Sequence, residues 1–131
     1  MTTILIVDDE PAHRMLAKRA IVQSLPAVEI REAGSVPAAS EALQKDPFSL
    51  AVLDLNLGGE SALVILKMLR AEKSFEELPV IILSTSAMES DIRASYTAGA
   101  NCYLTKSSNP HEYQSNLAAA VAFFLRRDGA R

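Results

Sequence analysis

Five side chains that could carry chemistry stand at the ends of four apolar runs in this chain. They are three carboxylates, one hydroxyl and one ammonium, a combination that is hard to explain as solvated surface. We interpret the five as parts of one site. Asp8 and Asp9 follow residues 4–7, Asp54 follows residues 50–53, Ser84 follows residues 80–83, and Lys106 follows residues 102–105.

The three carboxylates point to a cation and the whole set points to phosphate chemistry. Carboxylates brought close together repel, and at least one has its pKa raised unless a cation is bound. All-oxygen ligands with retained water suit Mg²⁺, or Mn²⁺ in its place, and such an ion neutralises phosphate oxygens during phosphoryl transfer. Asp54 could then accept a phosphoryl group as an acyl phosphate, with Lys106 and Ser84 contacting the phosphoryl oxygens.

Each of these residues has an ordinary interpretation when it is considered alone. An Asp-Asp pair after a strand is more often a helix N-terminus, where acidic groups favour the macrodipole. Asp54 alone is typical of a loop or turn, and Ser84 or Lys106 alone carries almost no information. The joint pattern at four strand ends favours a single site.

The elements that must position these side chains alternate along the chain. Short apolar runs separated by longer helical stretches predict a doubly wound parallel sheet of five strands with five helices. Predicted strands cover residues 3–7 and 28–32, a segment ending at Asp54, a segment after Pro79, and residues 102–105. Predicted helices run from Pro11 to Pro26, from an N-cap at Ser35 to Lys45, from Ser61 to Lys73, from Glu89 to Ala98 before a left-handed Gly99, and from a capping box at Asn109–Glu112 to Arg127.

Topology explains why separate strand ends would meet. Right-handed crossovers place helices on both faces of a parallel sheet and bring the strand C-termini to one edge. Ligands of open parallel sheets bind outside those carboxyl ends. The five side chains are therefore expected at the usual ligand-binding edge.

Composition narrows the class of protein. The 131 residues are 49% hydrophobic and 22% charged, which predicts one globular domain over 1–131 with no residues left for an output domain. The net charge of −3 argues against nucleic-acid or anionic-membrane partners. Without a signal peptide or a membrane-length apolar run, we expect a cytoplasmic protein with no membrane insertion. The single cysteine, Cys102, is expected to be a small buried hydrophobe.

Four motifs resemble the two-component response-regulator receiver domain, over essentially the whole chain. Asp54 lies 30 positions before Ser84, and Gly99 lies 7 positions before Lys106, both as in that family. The resemblance implies a flavodoxin-like α/β fold with strand order 2-1-3-4-5. The motifs are Ile4-Leu5-Ile6-Val7-Asp8-Asp9-Glu10-Pro11, Val52-Leu53-Asp54-Leu55-Asn56-Leu57, Pro79-Val80-Ile81-Ile82-Leu83-Ser84 and Gly99-Ala100-Asn101-Cys102-Tyr103-Leu104-Thr105-Lys106.

The resemblance also implies roles for the matching residues. Asp54 would be the phosphoacceptor, taking its phosphoryl group from a sensor histidine kinase or a phosphotransfer protein. Asp9 and Asp54 would ligate Mg²⁺, with Asp8 acting through water and Asn56 through its backbone carbonyl. Apart from its own phosphorylation and dephosphorylation, such a protein is not an enzyme.

Signalling in the family implies a switch that reaches the protein surface. Ser84 and Tyr103 would form the switch pair, in which the hydroxyl moves toward the phosphoryl group and the ring turns inward. Phosphorylation would thereby bias a two-state equilibrium at the face of helix four, strand five and helix five.

The chain departs from the family pattern in two loops. The family usually has proline straight after the lysine, often with a cis bond, whereas this chain has Ser107, which leaves the Lys106–Ser107 geometry open. The loop after Asp54 holds Gly58, Ser61 and Ala62 where the family usually has a proline and an Asp-Gly pair. That composition favours a more flexible loop with altered kinase docking or dephosphorylation.

The end of the chain suggests a partner surface. Residues 83–86, Asp91-Ile92 and Phe123-Phe124-Leu125 are similar to stand-alone receivers paired with phytochrome-type sensor kinases. Phe123 and Leu125 flank an apolar stripe on the last helix and widen it beyond what one sheet face covers, which favours a homodimer or an effector contact. A frayed end with partly exposed apolar residues is the alternative. The stripe comprises Tyr113, Leu117, Ala120, Val121 and Phe124.

Two other functions compete with the signalling switch. A haloacid-dehalogenase type of phosphatase also uses an aspartyl phosphate and Mg²⁺, but it has a second aspartate where this chain has Asn56. A degenerate receiver could act as an adaptor without phosphorylation. The complete set of acids, hydroxyl and lysine argues against that adaptor, and only the two unusual loops favour it.

Overall fold

Five parallel strands form one sheet with helices on both faces. The computed structural model describes residues 2–129, with side chains up to residue 126. The strand order β2-β1-β3-β4-β5 confirms the expected doubly wound topology. The strands are β1 (Thr3–Val7), β2 (Glu29–Ala33), β3 (Leu50–Asp54), β4 (Val80–Ser84) and β5 (Cys102–Thr105). The helices are α1 (Pro11–Ser24), α2 (Val36–Lys45), α3 (Leu63–Ala71), α4 (Glu89–Ala98) and α5 (Pro110–Gly129).

The apolar strands are continuous because the sheet is covered on both sides. Successive side chains of a strand point to opposite faces, so in β1 Leu5 and Val7 join one core cluster while Ile4 and Ile6 join the other. The first cluster includes residues of α2 and α3, and the second includes residues of α1 and α5. This two-sided core holds all the strand ends in a fixed relation.

The segment between β3 and α3 differs from the expected loop and helix start. Asn56–Leu57 pairs antiparallel with Glu60–Ser61, so Ser61 lies in a short hairpin and α3 begins at Leu63. Gly58 (φ +61°) and Gly59 (φ +97°) make the turn in a backbone region that other residues rarely adopt. The loop therefore contains a paired hairpin, and the flexibility that its glycines favoured stays a prediction.

One predicted helix end differs from the structure, and two predicted helix caps are confirmed. α3 ends at Ala71, not Lys73, and a 3₁₀ turn at Lys73–Phe75 follows it. The Ser35 hydroxyl accepts a hydrogen bond from Ala38 N–H (3.2 Å), which confirms the predicted N-cap. Gly99 closes α4 in the left-handed region (φ +113°), as expected.

At the start of α5, one of the two interactions of the predicted capping box is present and the other is made by a different residue. Asn109 Oδ1 accepts from the backbone N–H groups of His111 (3.1 Å) and Glu112 (3.2 Å), as an N-cap does. The backbone N–H of Asn109 donates to the Ser107 hydroxyl (3.0 Å) rather than to the Glu112 carboxylate. The Ser107 hydroxyl thus takes the place that the capping box assigns to the Glu112 carboxylate.

Candidate functional site

The polar residues expected at the sheet edge do lie together. Asp54 and Ser84 are the last residues of the adjacent strands β3 and β4, while Asp8 and Lys106 immediately follow β1 and β5. Asp54 pairs in register with Leu83, next to Ser84. The parallel register therefore brings residues distant in sequence to one edge.

Three carboxylates form a cluster that fits a divalent cation. One oxygen each from Asp8, Asp9 and Asp54 lie within 4.8 Å of one another. Asp8 is buried and Asp9 is exposed, so one side of the cluster is enclosed by protein and the other is open to solvent. Gly58 faces this opening, since a Cβ there would lie 3.5 Å from Asp9 Oδ2. Hard oxygen ligands with room for retained water are what Mg²⁺ and Mn²⁺ require.

Lys106 lies between two of the carboxylates. Its Nζ is 3.2 Å from Asp8 Oδ2 and 3.6 Å from Asp54 Oδ2, and its side chain is only 12% exposed. The Lys106–Ser107 peptide bond is trans, like every other peptide bond in residues 2–129. With this trans peptide bond, the Lys106 ammonium is directed into the carboxylate cluster.

Asp54 has a perturbed acidity. Burial raises its pKa to about 6, because desolvation disfavours the charged carboxylate and the charges of Asp8 and Asp9 add to the effect. The Lys106 ammonium opposes this shift. A partly buried carboxylate that is hard to ionise without additional positive charge is consistent with a site built around a cation.

His13 was not anticipated from the sequence. Its Nδ1 lies 3.3 Å from Lys106 Nζ, and its Nε2 lies 3.3 Å from Glu10 Oε2. The (i, i+3) spacing of Glu10 and His13 at the start of α1 was visible. The 93 positions between His13 and Lys106 explain why their contact was not.

Ser84 and Tyr103 are joined through Ser86, to which the sequence analysis assigned no role in the site. The Ser84 hydroxyl accepts a hydrogen bond from Ser86 N–H (3.0 Å), and the Tyr103 hydroxyl donates to the Ser86 carbonyl (2.8 Å). The Ser86 hydroxyl donates to Asp91 Oδ2 (2.6 Å). Ser86 thus connects the end of β4 to β5 and α4.

Asn56 lies on the hairpin beside the carboxylate cluster. Its side chain is directed into the hairpin turn, where Oδ1 accepts from Gly59 N–H (3.3 Å). The family resemblance assigned a role in cation binding to the Asn56 backbone carbonyl, not to this side-chain amide. The observed side-chain bond is consistent with an amide that organises the turn.

The final helix packs its apolar stripe into the core and leaves part of its end exposed. Tyr113, Leu117 and Val121 are buried in the core as expected. Phe123 is 54% exposed and makes an edge-to-face ring contact with Phe124 (centroids 5.1 Å apart). Leu125 packs partly against the core, so the apolar surface is narrower on that flank than expected.

Cys102 is only partly buried, whereas we expected it to be buried. Burial nevertheless raises the pKa of its thiol, because a thiolate is poorly solvated there. Within residues 2–129, no helix combines the length and apolar character needed to cross a membrane.

The fold and the edge site together match one protein family. The sequence profile described as "Response regulator receiver domain" matches residues 4–118. The chain belongs to this family of receiver domains, which act in two-component signalling.

Curated relatives of this chain include bacterial response regulators and a chemotaxis protein. The response regulator Rcp1 of Synechocystis sp. is 35% identical over 77 residues, which cover 59% of this chain and 52% of Rcp1. The transcriptional regulatory protein YvrH of Bacillus subtilis is 30% identical over 95% of this chain but only 49% of its own length. The chain thus matches about half the length of these two curated relatives. Chemotaxis protein CheY-3 of Vibrio cholerae is 32% identical over 79% of this chain and 78% of CheY-3.

Solved structures of response regulators are similar in fold to this chain. The phosphorylated cyanobacterial phytochrome response regulator RcpA has a TM-score of 0.86 at 28% identity, covering 95% of this chain and 94% of RcpA. The Mn²⁺-bound form of Rcp1 has a TM-score of 0.80 at 29% identity, covering 95% of each chain. This chain is therefore similar to phytochrome response regulators in both sequence and fold.

Proposed function

We propose that this receiver domain accepts a phosphoryl group on Asp54 and signals through phosphorylation-dependent protein contacts. The observation that carries the proposal is the position of Lys106, whose ammonium contacts two members of the three-carboxylate cluster, Asp8 and Asp54. A fixed positive charge beside a carboxylate nucleophile is what transfer of an anionic phosphoryl group requires.

The transfer is a substitution at phosphorus. An Asp54 oxygen forms the new P–O bond while the bond from phosphorus to the donor breaks, and its electron pair leaves with the donor. With acetyl phosphate the leaving group is acetate, and with a phosphohistidine it is the imidazole, which takes up a proton from solvent. Lys106 keeps its protons and neutralises the phosphoryl oxygens throughout.

A divalent cation fits the same site. Asp9 and Asp54 would hold Mg²⁺ or Mn²⁺ directly, Asp8 through water, and Asn56 through its backbone carbonyl. The ion supplies positive charge that offsets the phosphoryl oxygens. The Mn²⁺-bound form of a relative, Rcp1, supports this assignment, as does the spacing of the three carboxylate oxygens.

The proposed phosphodonor is a sensor histidine kinase, or a phosphotransfer protein that acts with one. Similarity to RcpA and Rcp1, the first of which is described as a cyanobacterial phytochrome response regulator, favours a phytochrome-type kinase. A panel of purified kinases tests this choice, since the cognate kinase should transfer phosphate fastest. Equal rates across unrelated kinases would contradict it.

The proposed output is the face formed by α4, β5 and α5, which could also support a homodimer. Tyr96 on α4 is 48% exposed, and Phe123 on α5 is exposed as well. Truncation after residue 122 should lower the solution mass of a dimer measured by sedimentation. An unchanged mass would rule out a dimer that depends on the end of α5.

Intact-mass measurement after incubation with Mg²⁺ and acetyl phosphate tests the central proposal. We expect a phosphoryl adduct on the wild type and on Asp46→Asn, a partly exposed aspartate outside the cluster, but none on Asp54→Asn. No adduct under any condition would support a non-phosphorylated adaptor. Rapid turnover of many phosphate esters would support a phosphatase, although Asn56 stands where that mechanism needs an acid.

A further inference from the structure

The Lys106 ammonium has three neighbours, and one of them is not an acid. Nζ lies 3.2 Å from Asp8 Oδ2, 3.6 Å from Asp54 Oδ2 and 3.3 Å from His13 Nδ1. An ammonium has three N–H donors and no acceptor, so a hydrogen bond between the two groups requires Nδ1 to accept. The neutral ring then carries its hydrogen on Nε2, which lies 3.3 Å from Glu10 Oε2.

The helix that carries His13 holds it in place. The carbonyl of Glu10 accepts from the backbone N–H of His13 (3.1 Å) and of Arg14 (3.1 Å) at the start of α1. The Glu10 carboxylate approaches the far side of the same ring. A chain of contacts thus runs from Glu10 through His13 to Lys106.

The lysine needs such a tether because it borders open space. A cavity of about 370 Å³ lies beside it, lined by residues that include His13, Lys106, Ser107 and Tyr113. A lysine side chain is long and flexible, so Nζ could swing into this cavity when its contacts with the aspartates weaken.

Phosphoryl transfer would weaken those aspartate contacts, because Asp54 would give up its free carboxylate and Asp8 would contribute to the cation site. We infer that His13 is a positioning residue, whose Nδ1 keeps the Lys106 ammonium directed at the phosphoryl group while Asp8 and Asp54 change partners. This inference rests on the proposed function, in which Asp54 forms the acyl phosphate and both acids contribute to a cation site. The imidazole forms no bond to phosphorus, and its Nδ1 lies farther from Asp8 Oδ2 (3.7 Å) than from Lys106 Nζ. We therefore expect its contact with Lys106 to persist during the transfer.

Three variants separate the acceptor atom from the bulk of the ring. His13→Leu keeps an apolar side chain of moderate size without an acceptor, and His13→Asn places an amide oxygen near the position of Nδ1. His111→Leu, an exposed histidine in the first turn of α5, is the matched control. Phosphorylation rates with acetyl phosphate at saturating Mg²⁺ are measured over a range of donor concentrations.

We expect His13→Leu to lower the maximal rate about tenfold, which is within the range for a hydrogen bond to a charged group. The donor concentration that gives half the maximal rate should not change, because His13 orients Lys106 and does not bind the donor. His13→Asn should recover most of the rate, and His111→Leu should match the wild type. A wild-type maximal rate in His13→Leu, or an Asn variant as slow as the Leu variant, would overturn the inference.

A second measurement does not depend on phosphorylation. Nitrogen-15 NMR of the imidazole reports which ring nitrogen carries the hydrogen in the neutral form. We expect the Nε2–H tautomer for His13 in the wild type and a loss of that preference in Lys106→Met. An Nδ1–H tautomer in the wild type would contradict the inference even if the protein is phosphorylated normally. A protein that forms no adduct but shows the expected tautomer would contradict the proposed function instead.

Discussion

The Tyr103 hydroxyl donates a hydrogen bond of 2.8 Å to the backbone carbonyl of Ser86. The N–H of Ser86 donates in turn to the Ser84 hydroxyl (3.0 Å). A Ser84 hydroxyl that moves toward a phosphoryl group must leave this N–H, so the ring of Tyr103 and the hydroxyl of Ser84 are linked through one residue. This link gives the proposed switch a physical path from the site to β5.

Replacing Tyr103 by phenylalanine should loosen the loop after β4. The substitution removes the hydroxyl but keeps the ring, so we expect a loss of about 1 kcal/mol in the free energy of unfolding. Hydrogen exchange should become faster at residues 84–88 and stay unchanged in α1, which lies on the opposite face. Unchanged exchange at residues 84–88 would show that the Tyr103 hydroxyl does not hold the loop.

Replacing Asp54 by asparagine should stabilise the protein at neutral pH when no divalent cation is present. The folded-state pKa of Asp54 is about 6 against an ordinary value of 3.8, so the folded protein holds this proton more tightly than the unfolded chain. The resulting stability is complete below about pH 3.8 and is lost as the pH rises through about 6. Ionised Asp54 then costs about 3 kcal/mol.

Urea unfolding with a chelator present measures this effect. The gain in Asp54→Asn should be largest near pH 7.5 and should shrink toward pH 4. Asp46→Asn is the control, because Asp46 is a partly exposed carboxylate paired with Arg31 at 3.0 Å and should show no gain. A gain that does not depend on pH would mean that ionisation of Asp54 is not its cause.

Divalent cations should stabilise the wild type through the carboxylate cluster. A ligand that binds only the folded state at 100 times its Kd adds about 2.7 kcal/mol, so Mg²⁺ or Mn²⁺ should raise Tm and chelation should reverse the rise. Asp9→Asn should abolish most of it. Glu10→Gln, at a neighbouring exposed carboxylate outside the cluster, should retain it, and equal losses in both variants would contradict a specific site.

Substitutions at two glycines separate backbone strain from crowding. Gly59 (φ +97°) and Gly99 (φ +113°) both have left-handed backbones, but a Cβ at Gly99 would lie 2.7 Å from Arg70 Cγ whereas one at Gly59 meets nothing within 4 Å. Gly59→Ala should cost about 1–2 kcal/mol. Gly99→Ala should cost more, because Arg70 must also give up its bonds to the Gly99 carbonyl (2.9 and 3.0 Å).

Equal unfolding free energies for Gly59→Ala and Gly99→Ala would mean that Arg70 adjusts without loss. Denaturant unfolding of both variants decides between these outcomes. Arg93→Ala serves as a control for loss of an exposed arginine nearby, with an expected effect within about 1 kcal/mol.

Local sequence signals located β1, β3 and β4 because these strands are apolar on both faces, and the alternation with helical stretches is strong enough to predict the fold class. Caps were equally visible where one residue supplies the bond, as at Ser35 and Gly99. The segment before α3 was mispredicted, because the pairing of Asn56–Leu57 with Glu60–Ser61 depends on a turn at two glycines. Ser107 was seen only as a missing proline, since its bond to Asn109 N–H depends on the path of the loop.

The sequence shows which chemical groups end four of the strands, because Asp8, Asp54, Ser84 and Lys106 follow short, mainly apolar runs that alternate with helical stretches, as the strands of a parallel sheet do. Tertiary structure alone decided what else reaches them. His13 meets Lys106 across 93 positions, and Ser86 lies between Ser84 and Tyr103. Such contacts depend on how helices and loops pack over the sheet edge, and no local pattern of residues encodes that packing.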